Sequence, residues 1–432
     1  MKLTLQMSIS AVSLLAALAI PVRLAAQEQK PKPARYTVTD LGTLGGTFSN
    51  AYGANGARYV GGAAQLSGGN QHAFLWYRGH MRDLGTLGGP NSLGSGPDPS
   101  NELAILSDTS TTDPLGEDFC GFGTHLICLG AIWKGGAMTP LPTLGGNNAE
   151  AFTVNNRGQE VGVAENKTQD ANCPAPQVLD FEAVIWGPKP GEIHKLRPLR
   201  GDSVGFALGI NDRGQAVGSS GSCANTTTNS VTGFVAGPHA VLWDNGRPTD
   251  LGSLGGTLVN TPAAINDRGE VIGGSYLKGD TTIHSFLWTK DAGMQDLGTL
   301  SGDALSLAGW INNSEQVVGW SCDSSGSCRA YLWENKVMTD LNSLIQSDSN
   351  LYLMFAYGIN DAGEIVGQAM EKSTGQLHAF LAIPRHSAAS SKDTAPAALS
   401  DNSRREDVAE NVREWQQRLR SVQFGSRFAG MR

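Results

Sequence analysis

Asp40-Leu41-Gly42-Thr43-Leu44-Gly45-Gly46 returns as Asp83-Leu84-Gly85-Thr86-Leu87-Gly88-Gly89, as Asp250-Leu251-Gly252-Ser253-Leu254-Gly255-Gly256 and as Asp296-Leu297-Gly298-Thr299-Leu300-Ser301-Gly302. Weaker copies stand at Leu141–Gly146, Leu196–Gly201 and Asp340–Leu344. Marked by its leucine, the stretch recurs at Leu41, Leu84, Leu141, Leu196, Leu251, Leu297 and Leu341, at spacings of 43 to 57 residues. Repeats of about 40–50 residues with four strand signals each are the size of propeller blades. The expected fold class is therefore all-β: a β-propeller of seven four-stranded blades, with loop insertions in the longer units.

The fullest unit runs from Thr249 to Met294. After the Asp-Leu-Gly stretch come Ala263-Ala264-Ile265-Asn266, the turn Asp267-Arg268-Gly269, the strand Glu270-Val271-Ile272-Gly273, a polar loop and His284-Ser285-Phe286-Leu287-Trp288. If Asp-Leu-Gly ends the outermost strand, the strand before the Asn turn is innermost. Its small residues suit a crowded axis: Ala207 and Gly209, Ala308 and Gly309, Ala356 and Gly358. Asn and Asp bond their own backbone in such turns, and Gly takes positive φ. The second unit is the poorest copy. Asn101–Leu106 reads as its inner strand, and the Asn-Asp-x-Gly turn is not recognisable.

The last unit stops at Ile383-Pro384 without a fourth strand, while the chain begins with an orphan of that type, Tyr36-Thr37-Val38-Thr39-Asp40-Leu41. Tyr36, Val38, Asp40 and Leu41 are expected to complete the last blade. Closure of this kind hides strand edges that invite aggregation.

Around this repeat domain, 36–384, the chain divides simply. Residues 1–26 read as a signal peptide: Lys2, the apolar run Ile9–Ile20, Pro21, and Leu24-Ala25-Ala26 before Gln27. The run is short for a membrane span of about 20 residues. Residues 27–35 are a polar lead and 385–402 a Ser/Ala-rich linker. In the tail 403–432, Val408, Val412, Trp415, Leu419 and Val422 form a helical stripe. The net charge of −8 argues against nucleic-acid binding, which needs a basic face. The six cysteines fit disulfides in an exported chain. Cys322 with Cys328 and Cys120 with Cys128 are the local pairs, leaving Cys173 with Cys223. No Cys-x-x-Cys spacing supports metal.

The units resemble the HAF-type extracellular repeat proteins, a bacterial family marked by Asp-Leu-Gly-Thr-Leu-Gly-Gly, Ile-Asn-x-x-Gly-x-Val-Val-Gly and His-Ala-Phe-Leu-Trp. Asn266–Gly273 and His72–Trp76 are the nearest copies here, and the resemblance spans Tyr36 to Pro384. It implies an exported, propeller-like repeat protein and carries over no catalytic residues.

Candidate chemistry is sparse. Gly201-Asp202-Ser203-Val204-Gly205 matches Gly-x-Ser-x-Gly, but it lies in a crossover before a strand, whereas the nucleophile elbow precedes a helix. His72, His239, His284 and His378 recur before the third strand and read as structural, a ring nitrogen bonded to a loop carbonyl. Asp40, Asp83, Asp250, Asp296 and Asp340 read as turn formers. The variable loops 108–129, 164–180, 219–238 and 320–329 hold all six cysteines and share one face. Binding usually resides in such loops on a rigid scaffold. The expectation is a monomeric binding module for a glycan or cell-surface protein, with no cofactor. Two alternatives stand beside it. One is a carbohydrate-active enzyme using Glu165, Asp170, Asp180 or Asp323 at the channel mouth. The other is a purely structural surface repeat.

Overall fold

The structure is a computed structural model that describes residues 35–226 and 236–385. The signal peptide, most of the linker and the helical stripe of the tail lie outside the described residues. Within them are twenty-eight strands, one short 3-10 helix at Leu341–Leu344, and no α-helix. The strands form five four-stranded sheets and one eight-stranded set. That set is two groups of four joined by a single parallel bridge, Phe48 to Leu377.

Six of the groups follow the chain outward from the innermost strand, and in the seventh the first strand of the chain takes the outermost place. In chain order the inner strands are Gly45–Ala54, Gly88–Gly94, Ala149–Val154, Val204–Ile210, Gly255–Ile265, Leu305–Ile311 and Leu351–Ile359. They number the sheets one to seven below. In the fifth sheet, Val271–Leu277, Ile283–Thr289 and Gly293–Gly298 follow, all antiparallel, so Asp296-Leu297-Gly298 ends the outermost strand. Consecutive sheets pack on one another, and Gly45–Ala54 also packs on the strands of the seventh. This is a β-propeller arrangement. Arg35–Asp40 lies antiparallel on Leu377–Arg385, pairing Tyr36 with Pro384, Val38 with Ala382 and Asp40 with Phe380.

The inner strands crowd as their small residues require. A Cβ on Gly53 would fall 2.6 Å from the Cα of Gly96 in the next sheet, so only glycine admits that approach. The third strands fill the spaces between sheets: Phe74, Phe286, Tyr331 and Phe380 are fully buried. Two of their tryptophans also donate to a crossover carbonyl, Trp186 to Pro142 at 2.8 Å and Trp243 to Arg197 at 2.6 Å.

The Asn turn joins neighbouring sheets as well as strands. In the fifth sheet Asn266 Oδ1 accepts from the backbone N–H of Arg268 and Glu270, while Nδ2 donates to the carbonyl of Asn312 in the sixth, at 3.1 Å. The same link runs from Asn155 to Asn211, Asn211 to Asn266, Asn312 to Asn360, Asn360 to Asn55, and Asn55 to Asp98. Residue by residue, these amides form a belt around one face.

The second sheet corrects the sequence expectation. Its inner strand is Gly88–Gly94, and Leu103–Thr112 is its second strand. The turn is present in altered letters: Asp98 N–H donates to the Glu102 carbonyl, Asp98 Oδ1 accepts from the N–H of Ser100 and Glu102, and Asn101 takes φ 64° in the place of glycine. The turn needs a side-chain acceptor and a residue tolerant of positive φ, and Asp with Asn supplies both.

Asn211→Ala strips the acceptor from two backbone N–H groups and the donor from the Asn266 carbonyl. Loss of buried partners costs about 1–3 kcal/mol. Denaturant unfolding should show a stability loss of about 2–4 kcal/mol, whereas a loss below about 0.5 kcal/mol would remove the belt from the account of stability.

Candidate functional site

The face opposite the Asn turns carries the loops between second and third strands. Three disulfides brace them: Cys120–Cys128 in the second sheet, Cys322–Cys328 in the sixth, and Cys173–Cys223 linking the third to the fourth. The second sheet's loop reaches across its neighbours. Phe119 is buried among Val163, Phe181, Val204, Phe206 and Cys223, its ring edge-on to Phe181 at 6.1 Å. Two residues earlier, Glu117 Oε1 accepts from the N–H groups of Val178 at 2.6 Å and Leu179 at 2.9 Å. The loops of sheets two, three and four thus interlock.

At the junction, Glu117 faces Glu165. Asn148 Nδ2 donates to Glu165 and Asp113 at 3.0 Å each, and Gln177 Nε2 donates to Glu165 at 2.9 Å and Glu117 at 3.2 Å. Glu165 also accepts from the N–H of Asn147 and Asn148. Burial, then the charge of Glu117, pushes Glu165 up to about 8, and burial raises Glu117 as well. The two share the amide donors of Gln177 and Asn148.

The carboxylates proposed for an enzyme fall in three settings. Glu165 is fully buried. Asp170 and Asp180 do meet. Burial, then Asp170 and Glu182, pushes Asp180 up to about 6. Asp170 meanwhile closes its own turn onto Asn172. Asp323 closes the sixth sheet's hairpin by accepting from the N–H of Ser325 and Ser327. The Sγ atoms of Cys173 and Cys223 and an oxygen of Asp180 lie within 4.8 Å of one another. The sulfurs are bonded to each other, so they offer no thiolate to a metal. A hollow of about 420 Å³ is lined by Val38, Asp40, Gln346, Asp348, Asn350 and Leu351, beside the first strand.

The repeated histidines pair with carboxylates rather than loop carbonyls. Nδ1 stands 2.8 Å from Asp83 in His72, 3.0 Å from Asp296 in His284 and 2.8 Å from Asp40 in His378. His239 instead meets Asp202, the aspartate of the Gly-x-Ser-x-Gly match, at 2.8 Å. In the sixth sheet Arg329 takes the histidine's place, reaching Asp340 and Asp303. The repeated aspartates close turns as expected, accepting from the N–H of Gly42, Gly85, Gly252, Gly298 and Asn342. Glu117, Phe119, Asn148 and Gln177 were missed from sequence. They lie outside the repeated motifs, so only the acidic density of the irregular second unit hinted at them.

No protein-family model matches this chain, and no curated protein does. Among solved structures, it is similar to TolB from Acinetobacter baumannii (10% identity, TM-score 0.37, covering 66% of this chain and 65% of that one). It is similar to a gluconolactonase from Xanthomonas campestris (9%, 0.36, 82% and 96%) and to Trypanosoma rangeli sialidase (10%, 0.36, 70% and 56%). Likenesses this loose say nothing about what the chain binds or turns over.

Glu165 gives a signed pH prediction. Its carboxyl keeps in the folded state a proton that the unfolded chain releases near pH 4.3, so stability is greatest below that value. It should fall as pH rises toward about 8 and level off beyond. The slope is at most about 1.4 kcal/mol per pH unit for this group. Glu165→Gln should flatten that fall in urea midpoints taken across the window, and an unchanged slope would exonerate Glu165.

Proposed function

We propose that this chain is an exported, closed seven-bladed propeller of the HAF-type repeat class that binds a glycan or cell-surface protein through its cystine-braced loops. Closure is supported by the pairing of Tyr36, Val38 and Asp40 with the last strand, and by the Leu41 N–H donating to the Ala379 carbonyl at 2.9 Å. Three disulfides and no free cysteine among the described residues fit an extracellular or periplasmic destination. No helix of the described residues is long and apolar enough to cross a membrane. The observation that carries the binding reading is the interlocked cap of the second, third and fourth sheets. Its loops are irregular where the scaffold is periodic, yet they are held by a disulfide, a buried phenylalanine and a carboxyl–backbone clamp. Fixed, variable loops on a rigid scaffold are how binding surfaces are built.

The purified ring is screened on glycan arrays and against envelope extracts, beside variants in which 114–124 or 171–177 is replaced by a short glycine turn. The expected result is a retained partner for the parent and its loss in variants that still melt cooperatively. Equal binding by parent and loop variants would overturn the reading, as would a parent that captures nothing in either screen.

A further inference from the structure

We propose that the seam between the second and third sheets is a pH-sensitive latch, at which the ring parts as pH rises through neutrality. Three independent features coincide there.

The Asn belt is interrupted at this seam. Asp98 receives a bond from Asn55 at 2.8 Å, but an ionised carboxylate has no N–H to pass on to the carbonyl of Asn155. The equivalent donor exists at every other junction of the belt. No disulfide crosses this seam either: Cys173–Cys223 joins the third sheet to the fourth, and the other two lie within the second and sixth.

Carboxyls then crowd both ends of the seam. At the Asn-turn end, Asp98, Glu102 and Glu160 are buried, with Lys134 on Glu102 as the nearby cation. At the loop end, Asp108, Asp113, Glu117 and Asp118 come from the second sheet and its loop, and Glu150 and Glu165 from the third. Glu150 is 3% exposed. Among the basic groups nearby, Lys195 bonds Glu182, His125 bonds the Gly116 carbonyl, and the Lys167 side chain lies along Gly145. Every resolved carboxyl shift in the seam is upward, with burial the largest cause. Asp108 rises to about 6, Glu160 to about 7 and Glu165 to about 8, and Asp98, Glu117 and Glu150 are also raised. The seam's apolar packing is built largely from small residues, Ala104 against Ala149, Ala151 and Ala164 with Val184 and Trp186, whereas the junction of the fifth and sixth sheets holds Ile272, Leu300, Ala308, Ile311 and Tyr331.

The latch itself is the loop that crosses the seam. Glu117 grips the third sheet through the N–H of Val178 and Leu179 and shares its amide donors with Glu165. While one of the pair is protonated, the grip is attractive. When both ionise, two adjacent buried charges share the same few donors and repel. Glu117 then leaves, drawing Phe119 out of its pocket, and neither a disulfide nor a belt bond spans the seam; the Cys128 N–H bond to Asn148 and the apolar contact remain. The inference does not depend on what the loops bind.

Amide hydrogen exchange of the full chain, scaled for intrinsic rates, tests it at about pH 5.5 and about pH 8.5. Protection in Leu103–Thr112 and Glu160–Gln169 should fall about tenfold more than in Val271–Leu277 and Val317–Cys322 at the higher pH. An Asp98→Asn, Glu165→Gln double variant should abolish that difference. Equal loss around the ring, no loss at the seam, or an undiminished difference in the double variant would each overturn the proposal. If the variant fails to fold, the parent profile alone decides between these outcomes.

Discussion

One side-chain amide ties each sheet but the second to the next. Asn266 and its counterparts accept two N–H groups of their own turn and donate to the next turn's carbonyl, so each blade's hairpin and its junction depend on the same residue. Neighbouring belt residues add a second tie: the N–H of Asn156 donates to Asp212, that of Asp212 to Asp267, that of Asp267 to Asn313 and that of Asn313 to Asp361. Gly56 and Pro99 stand at this position in the first two sheets and carry no such acceptor. A propeller sheet touches only its neighbours, so a junction without these ties has nothing distant to compensate.

The opposite face uses carboxylates in the complementary way. Each repeated aspartate accepts from the N–H two residues on and, in three sheets, also meets the histidine before the third strand. His378 is raised first by its bond to Asp40, so the pair that fastens the first strand to the last tightens toward acid. In the sixth sheet Arg329 stands at the histidine position and bonds Asp340. These aspartates have structural work that accounts for their recurrence without acid–base chemistry. The buried acids between the second and third sheets belong to no repeat, and they make that junction unlike the rest.

Much of the fold was legible because its determinants are local. Asn and Gly at fixed offsets specify the hairpin, the apolar runs specify the third strands, and the spacing of the leucines specifies four strands per unit. The second unit misled because Asp98 and Asn101 perform the roles of Asn and Gly in other letters, which a search for letters misses and a search for an acceptor followed by a positive-φ residue finds. The six cysteines were visible in sequence, and their separations suggested the bonds that the structure shows. The loop contacts were hidden: nothing in the sequence spacing of Glu117 and Glu165, or of Phe119 and Phe206, says that they touch.

By itself, then, the sequence determined what period-two patterning and turn chemistry can encode: strands, hairpins, their number and their order outward from the axis. Only the tertiary structure decided which side chains meet across a junction. Such meetings depend on how irregular loops fold over neighbouring sheets, and the protonation of Glu165 depends on burial that no local pattern records. The amide belt lies between the two: each asparagine was readable as a turn former, but its donation to the next blade exists only once the sheets stand side by side.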